Sequence, residues 1–288
     1  MDAMSKPSWM RTMKYIVPLL GPWHDVMKTQ YTTVESYASP VLARHQDYVV
    51  RLAASEMEHR AAYRLRFEVF NLELNEGLDS AFINGEDTDP FDAVCDHLIV
   101  QQVQTRRVVG TYRIQTGVKA GLSLGYYSEQ EFDFAPYEPI RGELIELGRA
   151  CVHKDYRNYD VLNLLWHGIS RYAHETGARY LVGCSSLTTQ HQEEGWAAYR
   201  RLERHLAPPA LRTTPTQSYR LEPLEVELAD DLPDPPRLLR MYLMLGAYIC
   251  GEPAIDRAFK TIDFLTLLDL QQLAPSFRVR YLGQKQTA

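Results

Sequence analysis

Ten residues, Glu143-Leu144-Ile145-Glu146-Leu147-Gly148-Arg149-Ala150-Cys151-Val152, constrain the fold more than any other stretch of the chain. The apolar run predicts a buried strand, yet it carries a glutamate and an arginine three positions apart. Side chains alternate faces along a regular strand, so Glu146 and Arg149 would point to opposite sides of the sheet. They share a face only if one residue is bulged out of the ladder, and Gly148 between them is the residue type that tolerates a bulge. The competing reading is an edge strand with two solvated charges.

With 45% apolar and 24% charged residues, the composition is that of a soluble globular protein. No apolar run reaches the length needed to span a bilayer. The first residues lack the charged and apolar pattern of a secretory signal, so a cytoplasmic location is expected. Cys95, Cys151, Cys184 and Cys250 lie far apart without CxxC pairs, which predicts buried thiols rather than disulfides or a zinc site. A net charge of -6 argues against nucleic-acid partners.

Residues 1–45 show scattered apolar positions and no sustained period, and are read as a partly ordered extension. A single domain is expected over 46–285, opening with a helix over 56–75 whose core stripe is Ala62, Leu65, Val69 and Leu72. Strands are expected at 94–103, 107–115, 143–152 and 179–187, with helices at 160–176 (N-cap Asp160, stop Gly177) and 192–206. Seven of the sixteen prolines fall between 208 and 236, marking a long loop with room for one strand in Ser218–Leu228. The apolar stretch 237–251 and a strand or short helix at 260–272 follow. This order predicts an α/β fold, a mixed central sheet with a bulged strand flanked by helices.

Charges recur at the margins of these apolar elements. Arg66 and Phe70 sit four apart on the first helix; Asp89 and Asp92 occupy the turn before a strand, with Pro90 holding Asp89 extended. Arg113 lies inside an apolar strand. Three arginines and three carboxylates, counting Glu146 and Arg149, form a balanced set that can be buried at tolerable cost. Taken singly, Asp89 and Asp92 are also ordinary loop residues.

The order Arg66-x-x-x-Phe70, Asp89-x-x-Asp92, Arg113 after Val109-Gly110-Thr111-Tyr112, and Glu146-x-x-Arg149 resembles the acyl-homoserine-lactone synthases of the GNAT-like N-acyltransferases. It resembles still more the ornithine-lipid N-acyltransferases, through DPFDAVCDHLIV, GYYSEQEFDF, ELGRACVHKDYR and LGAYICGEPAIDRAFKTIDFLTLLDL. The likeness covers about residues 58–285. One departure is Glu76, where the lactone synthases carry a Trp, and the glycine-rich pyrophosphate loop is degenerate at His153–Asp160.

The resemblance implies a GNAT-like fold and transfer of a long 3-hydroxyacyl chain from acyl carrier protein to the α-amine of ornithine, without a further cofactor. Glu146 and Arg149 would be catalytic, Glu146 as the base. Arg66, Phe70, Asp89, Asp92 and Arg113 would bind substrate, the aspartates countering the arginines or receiving the acceptor's cationic side chain. Lys154, Arg157 and Asn158 would meet the donor's phosphopantetheine at a helix N-terminus. Because the carrier is acidic, docking needs a basic patch, which Arg200, Arg201 and Arg204 offer. Tyr199 is a weaker candidate for the acid that protonates the leaving thiolate. The apolar 238–250 segment suits an acyl channel or core, or peripheral contact with the inner membrane. Rival readings are a lactone signal synthase and a non-catalytic acyl-binding module.

Overall fold

The computed structural model describes residues 37, 39–224 and 235–282. Most of the expected extension and the end of the 218–228 stretch lie outside the described residues. Strand β1 (Val41–His45), read from sequence as the end of that extension, pairs with β2 (Tyr48–Leu52). It belongs to the sheet.

Ser55 caps α1 (Glu56–Arg66) by accepting from the Glu58 N–H, and the chain then continues as a π-helix over Phe67–Glu73. The wider winding changes the period after Val69. Phe70 and Asn71 turn inward, while Leu72, expected in the core, is 61% exposed. Strands β3 (Asp96–Gln102), β4 (Val108–Thr116) and β5 (Leu144–Val152) follow, with the short α2 (Gly117–Gly121) and a series of 3-10 turns between the last two. Helix α3 (Tyr159–Thr176) is capped by Asn158, not Asp160, because the Asn158 side chain accepts from the Val161 N–H; it ends at Gly177 in the left-handed conformation. Next come β6 (Tyr180–Leu187), α4 (Gln192–Leu202), α5 (Arg237–Met244), β7 (Tyr248–Ile249), β8 (Ala254–Asp256), β9 (Thr261–Asp269) and α6 (Pro275–Leu282). Within the described part of 218–228, Arg220 makes only an isolated bridge to Ala254, so the expected strand is absent there.

The sheet runs β1-β2-β3-β4-β5-β6-β9-β7, with β8 also on β9. Among the described strands only β5 and β6 pair in parallel, joined by the α3 crossover. Helix α3 covers one face, packing Val161, Leu165 and Ile169 on Leu98, Tyr112, Ile114 and Ile145. It lies so close that a Cβ on Gly168 would stand 2.7 Å from a Val50 methyl. Helix α1 covers the other face with Ala62 and Leu65 beside Ile99 and Cys151.

Candidate active site

The parallel pair is short. β5 and β6 align only at Leu144–Tyr180, Ile145–Leu181 and Glu146–Val182, then splay, each continuing along its other neighbour. At the parting point a Cβ on Gly183 would fall 2.2 Å from the Leu147 carbonyl oxygen, so no other residue type fits without moving a strand. The wedge opens into a cavity of about 320 Å³ lined by residues from both faces of the sheet. On the α3 side its walls are apolar, including Tyr112, Leu147, Leu239, Tyr242 and Leu268; on the α1 side they carry Phe70, Arg113, Glu146, Arg149, Asp256 and Asp263.

The bulge predicted for β5 is present. Arg113 faces Gly148 and Thr111 faces Cys151, so Arg149 and Ala150 together oppose Tyr112. The strained residue is Arg149 itself, at φ 48°, rather than Gly148. One inserted residue carries Arg149 and Cys151 to the α1 face beside Glu146, while Ile145, Leu147 and Val152 stay with the α3 core.

Glu146 is 5% exposed. Its carboxylate accepts from the Tyr127 N–H at 2.8 Å, the Ser128 N–H at 2.7 Å and the Ser128 hydroxyl at 2.6 Å. Burial raises its pKa above the ordinary glutamate range, and these bonds only partly oppose the shift. A carboxylate so poised is a serviceable proton acceptor.

The arginines and aspartates do assemble, with one change of membership. Arg66, fully buried, clamps Asp92 through both terminal nitrogens at 2.7 and 2.9 Å and reaches Asp87 at 2.8 Å through Nε. Arg113 donates to Asp89 at 2.6 Å and to Asp92 at 3.2 Å; Arg149 donates to Asp89 at 2.8 Å. The third carboxylate is therefore Asp87, which sequence reasoning missed, and Glu146 stands apart. Asp89 caps the turn Pro90–Ala93 while Asp92 accepts its backbone N–H, a reciprocal cap that fixes both carboxylates. Burial pushes Asp92 up, but the Arg66 and Arg113 charges outweigh it and hold the group well below the usual range; Asp89 is lowered in the same way by Arg113 and Arg149. Arg149 also lies 4.1 Å over the Phe259 ring and 5.1 Å from the Tyr127 ring centre.

Of these residues, Phe70, Arg113 and Arg149 line the cavity; Arg66, Asp89 and Asp92 stand behind it and fix the two arginines. Asn158 is occupied as the α3 cap, and Arg157 is paired with Glu73 and the Val152 carbonyl. Lys154 lies in the 3-10 turn just before them. Arg200, Arg201 and Arg204 are exposed at the end of α4, whose Leu202 packs on Leu239 of the cavity wall. Tyr199 packs in that cluster against Trp196, outside the cavity lining.

A second buried cluster was not foreseen. Glu131, Cys184 and Asp263 place their donor atoms within 4.8 Å of one another. Asp256 accepts from the Tyr127 hydroxyl at 3.0 Å, and Glu76 accepts from Thr188. Signals existed: Asp263 is an acid inside an apolar strand, as Arg113 is a base inside one, and Glu131 lies in the aromatic and acidic stretch 126–134.

The scan for known families matches an acetyltransferase (GNAT) domain over residues 65–167. The chain is 31% identical over 250 residues to the L-ornithine N(alpha)-acyltransferase of Rhodobacter capsulatus, covering 81% of this chain and 94% of that one. It is 30% identical over 262 residues to the protein of the same name from Brucella abortus, covering 84% and 91%. Among solved structures, FeeM, an N-acyl amino acid synthase from uncultured soil microbes, aligns at 14% identity and a TM-score of 0.49 over 78% of this chain and 93% of that one. The GNAT match takes in the bulged strand and the first half of its crossover helix, and the relatives match more than four-fifths of the chain. The chain is thus an acyltransferase with the GNAT fold, and it belongs to the L-ornithine N(alpha)-acyltransferase family.

Proposed function

We propose that this protein transfers a long 3-hydroxyacyl group from acyl carrier protein to the α-amino group of an amino acid, ornithine first, on the way to an aminolipid. The observation that carries this reading is the cavity between β5 and β6, apolar at one end, carboxylate-lined at the other, with Glu146 on the polar side. The two ends suit the two substrates. A fatty chain enters among Tyr112, Leu239 and Tyr242, and the amino acid meets the charged wall.

An α-amine with a pKa near 8 is largely protonated at neutral pH. The ammonium first gives one proton to solvent, and Glu146 takes a second, directly or through one water, as the freed nitrogen attacks the thioester carbonyl. Beyond Glu146 the β6-facing edge of β5 has no strand partner, and backbone N–H groups there can meet the carbonyl oxygen as it gains charge. Collapse of the adduct forms the amide and expels the phosphopantetheine thiolate, which receives the proton that left the amine. Arg113 and Arg149, held by Asp89, offer guanidinium edges to the acceptor's carboxylate. Lys154 contributes charge toward the phosphopantetheine at the α3 N-terminus. No helix among the described residues is long and apolar enough to cross a membrane, which suits a reaction in the cytoplasm with product leaving at the inner membrane surface.

The test is incubation of purified protein with 3-hydroxyacyl carrier protein and a panel of amino acids, with products identified by mass spectrometry. Acylated ornithine supports the reading; an acyl lactone, or no release of thiol, sinks it. Reversing the charge of Arg200 and Arg204 should raise the apparent KM for the carrier several-fold, and an unchanged KM removes the docking surface.

A further inference from the structure

We propose that the buried pair Glu131 and Asp263, with Cys184 beside it, is the receptor for the side-chain ammonium of a diamino acid acceptor and so sets the enzyme's acceptor selectivity. The inference rests on the function proposed above and names the subsite it needs. Asp89 and Asp92, the carboxylates that sequence alone suggests for that cation, are already neutralised by Arg66, Arg113 and Arg149.

The pair has no such partner. Glu131, Asp263, Asp256 and Glu76 make no ion pair with an arginine or lysine among the described residues. Glu131 is 0% and Asp263 3% exposed, and Glu131 Oε1 and Asp263 Oδ1 are buried without a hydrogen-bond donor. Asp263, Asp256, Cys184 and Glu76 line the cavity, and Glu131 stands directly behind Cys184, 3.5 Å from its sulfur. Buried carboxylates this close cannot both stay ionised without a cation. Burial and the neighbouring Asp263 and Asp256 charges push Glu131 well above the carboxylate range. Burial raises Asp263 to about 6 against the Ser186 hydroxyl, with Asp256 adding to the rise. The facing groups from other elements (Cys184, Tyr127, Tyr219 and Glu146) bring no positive charge. An arriving ammonium supplies the missing cation and three donors.

The spacing matches the reaction. Glu146 holds the Ser128 hydroxyl at 2.6 Å, Cys184 Sγ lies 3.4 Å from that hydroxyl, and Glu131 lies 3.5 Å from the same sulfur. The two nitrogens of ornithine are separated by five bonds of about 1.5 Å. One molecule can therefore present its α-amine to Glu146 and its other amine to the pair. Burial beside Glu131 and Asp263 pushes the Cys184 thiol well up, so sulfur is present as S–H, a weak donor to Glu131 rather than a thiolate ready for a metal.

The experiment is calorimetric titration of the wild-type protein with L-ornithine and with L-norvaline, which keeps the backbone and loses the side-chain nitrogen. Ornithine is expected to bind at least ten-fold more tightly. Glu131→Gln and Asp263→Asn should each erase most of that difference while leaving norvaline affinity unchanged. Equal affinities in the wild type overturn the inference, and so does a difference that survives both substitutions. A stoichiometric divalent metal retained after dialysis against chelator, and lost in Glu131→Gln, also overturns it by giving the cluster another occupant. If the variants do not fold, the wild-type comparison keeps the inference falsifiable, because equal affinities for the two amino acids overturn it. Ornithine binding without acyl transfer to any amino acid would sink the proposed reaction and leave this subsite standing; transfer to ornithine and norvaline alike would do the reverse.

Discussion

Two buried carboxylate clusters meet at Tyr127, and they obey opposite rules. On one side Asp87, Asp89 and Asp92 are matched by three arginines, and Asp89 and Asp92 are held below the ordinary range. On the other side Glu131 and Asp263 have no cationic partner among the described residues and are driven upward. The Tyr127 ring lies against Arg113 and Arg149 of the first cluster, while its hydroxyl donates to Asp256 of the second. A compensated network can be buried for good and serve as a frame. An uncompensated one carries a standing cost, which natural folds tolerate chiefly where a ligand will relieve it.

The largest expected effect is on the compensated side. Arg66→Met removes a guanidinium that holds two aspartates and leaves Asp87 and Asp92 buried with reduced partners. Breaking such a network costs about 3–5 kcal/mol, a large share of the stability of an ordinary domain. Urea denaturation monitored by tryptophan fluorescence measures it. A loss under about 1 kcal/mol would show that the network behaves like surface charge and is no frame. Close behind is Glu146→Gln, expected to lower kcat roughly 10²-fold with an unchanged urea midpoint. The wild-type rate should fall on the acid side at a pH above the ordinary glutamate value, because the carboxylate must be ionised to accept the proton and its pKa is raised. Unaltered turnover removes Glu146 as the base.

The two clusters were unequally visible in the sequence. Arg113 and Arg149 could be found because each interrupts an apolar strand, and the need for a bulge followed from the two-residue period alone. The residue that takes the strain could not be found that way. Gly148 is the permissive type, but the side chain that must change face is that of Arg149, so the turn of the backbone falls there. Asp87 was hidden because it sits in a polar loop, Glu86-Asp87-Thr88-Asp89, where an acid is unremarked, and its partner lies 21 residues away. Leu72 was misplaced because α1 and the π-helix after it read as one continuous apolar period. For Glu131 and Asp263 the missing information is the splay of β5 and β6, a tertiary feature that puts the 3-10 turn at Tyr127, strand β6 and the C-terminal strand β9 around one hole.

A smaller effect, with a sign that separates the clusters, is expected from pH. The folded pKa of Asp263, about 6, lies above its ordinary 3.8. Its contribution to stability is therefore full below pH 3.8 and lost as pH rises through 6. Asp89 and Asp92 lie below 3.8, so their contribution is present above that value and lost as pH falls through their folded pKa values. Asp263→Asn should then stabilise the protein at pH 8, by on the order of 1–3 kcal/mol, with the gain shrinking toward pH 4. Asp92→Asn should destabilise at pH 8, and less so in acid. Paired denaturation series at the two pH values read both slopes. Slopes of the same sign would mean that the clusters share one electrostatic character and that the comparison fails.

The smallest effect lies at the seam. Tyr127→Phe keeps the ring against Arg113 and Arg149 and deletes only the hydroxyl that donates to Asp256 at 3.0 Å. Asp256 retains the Ala258 and Phe259 N–H groups, so the loss should be that of one hydrogen bond, about 1 kcal/mol. Because the frame is untouched, the change should appear on the acidic side, as a two- to five-fold rise in the KM for ornithine with little change in kcat. A fall in kcat at constant KM would place the Tyr127 hydroxyl with Glu146 instead, since the Tyr127 and Ser128 N–H groups hold that carboxylate and a shift of the turn would disturb it. The split between KM and kcat thus decides which cluster this tyrosine serves, and whether the frame and the acceptor subsite are separable parts of the molecule.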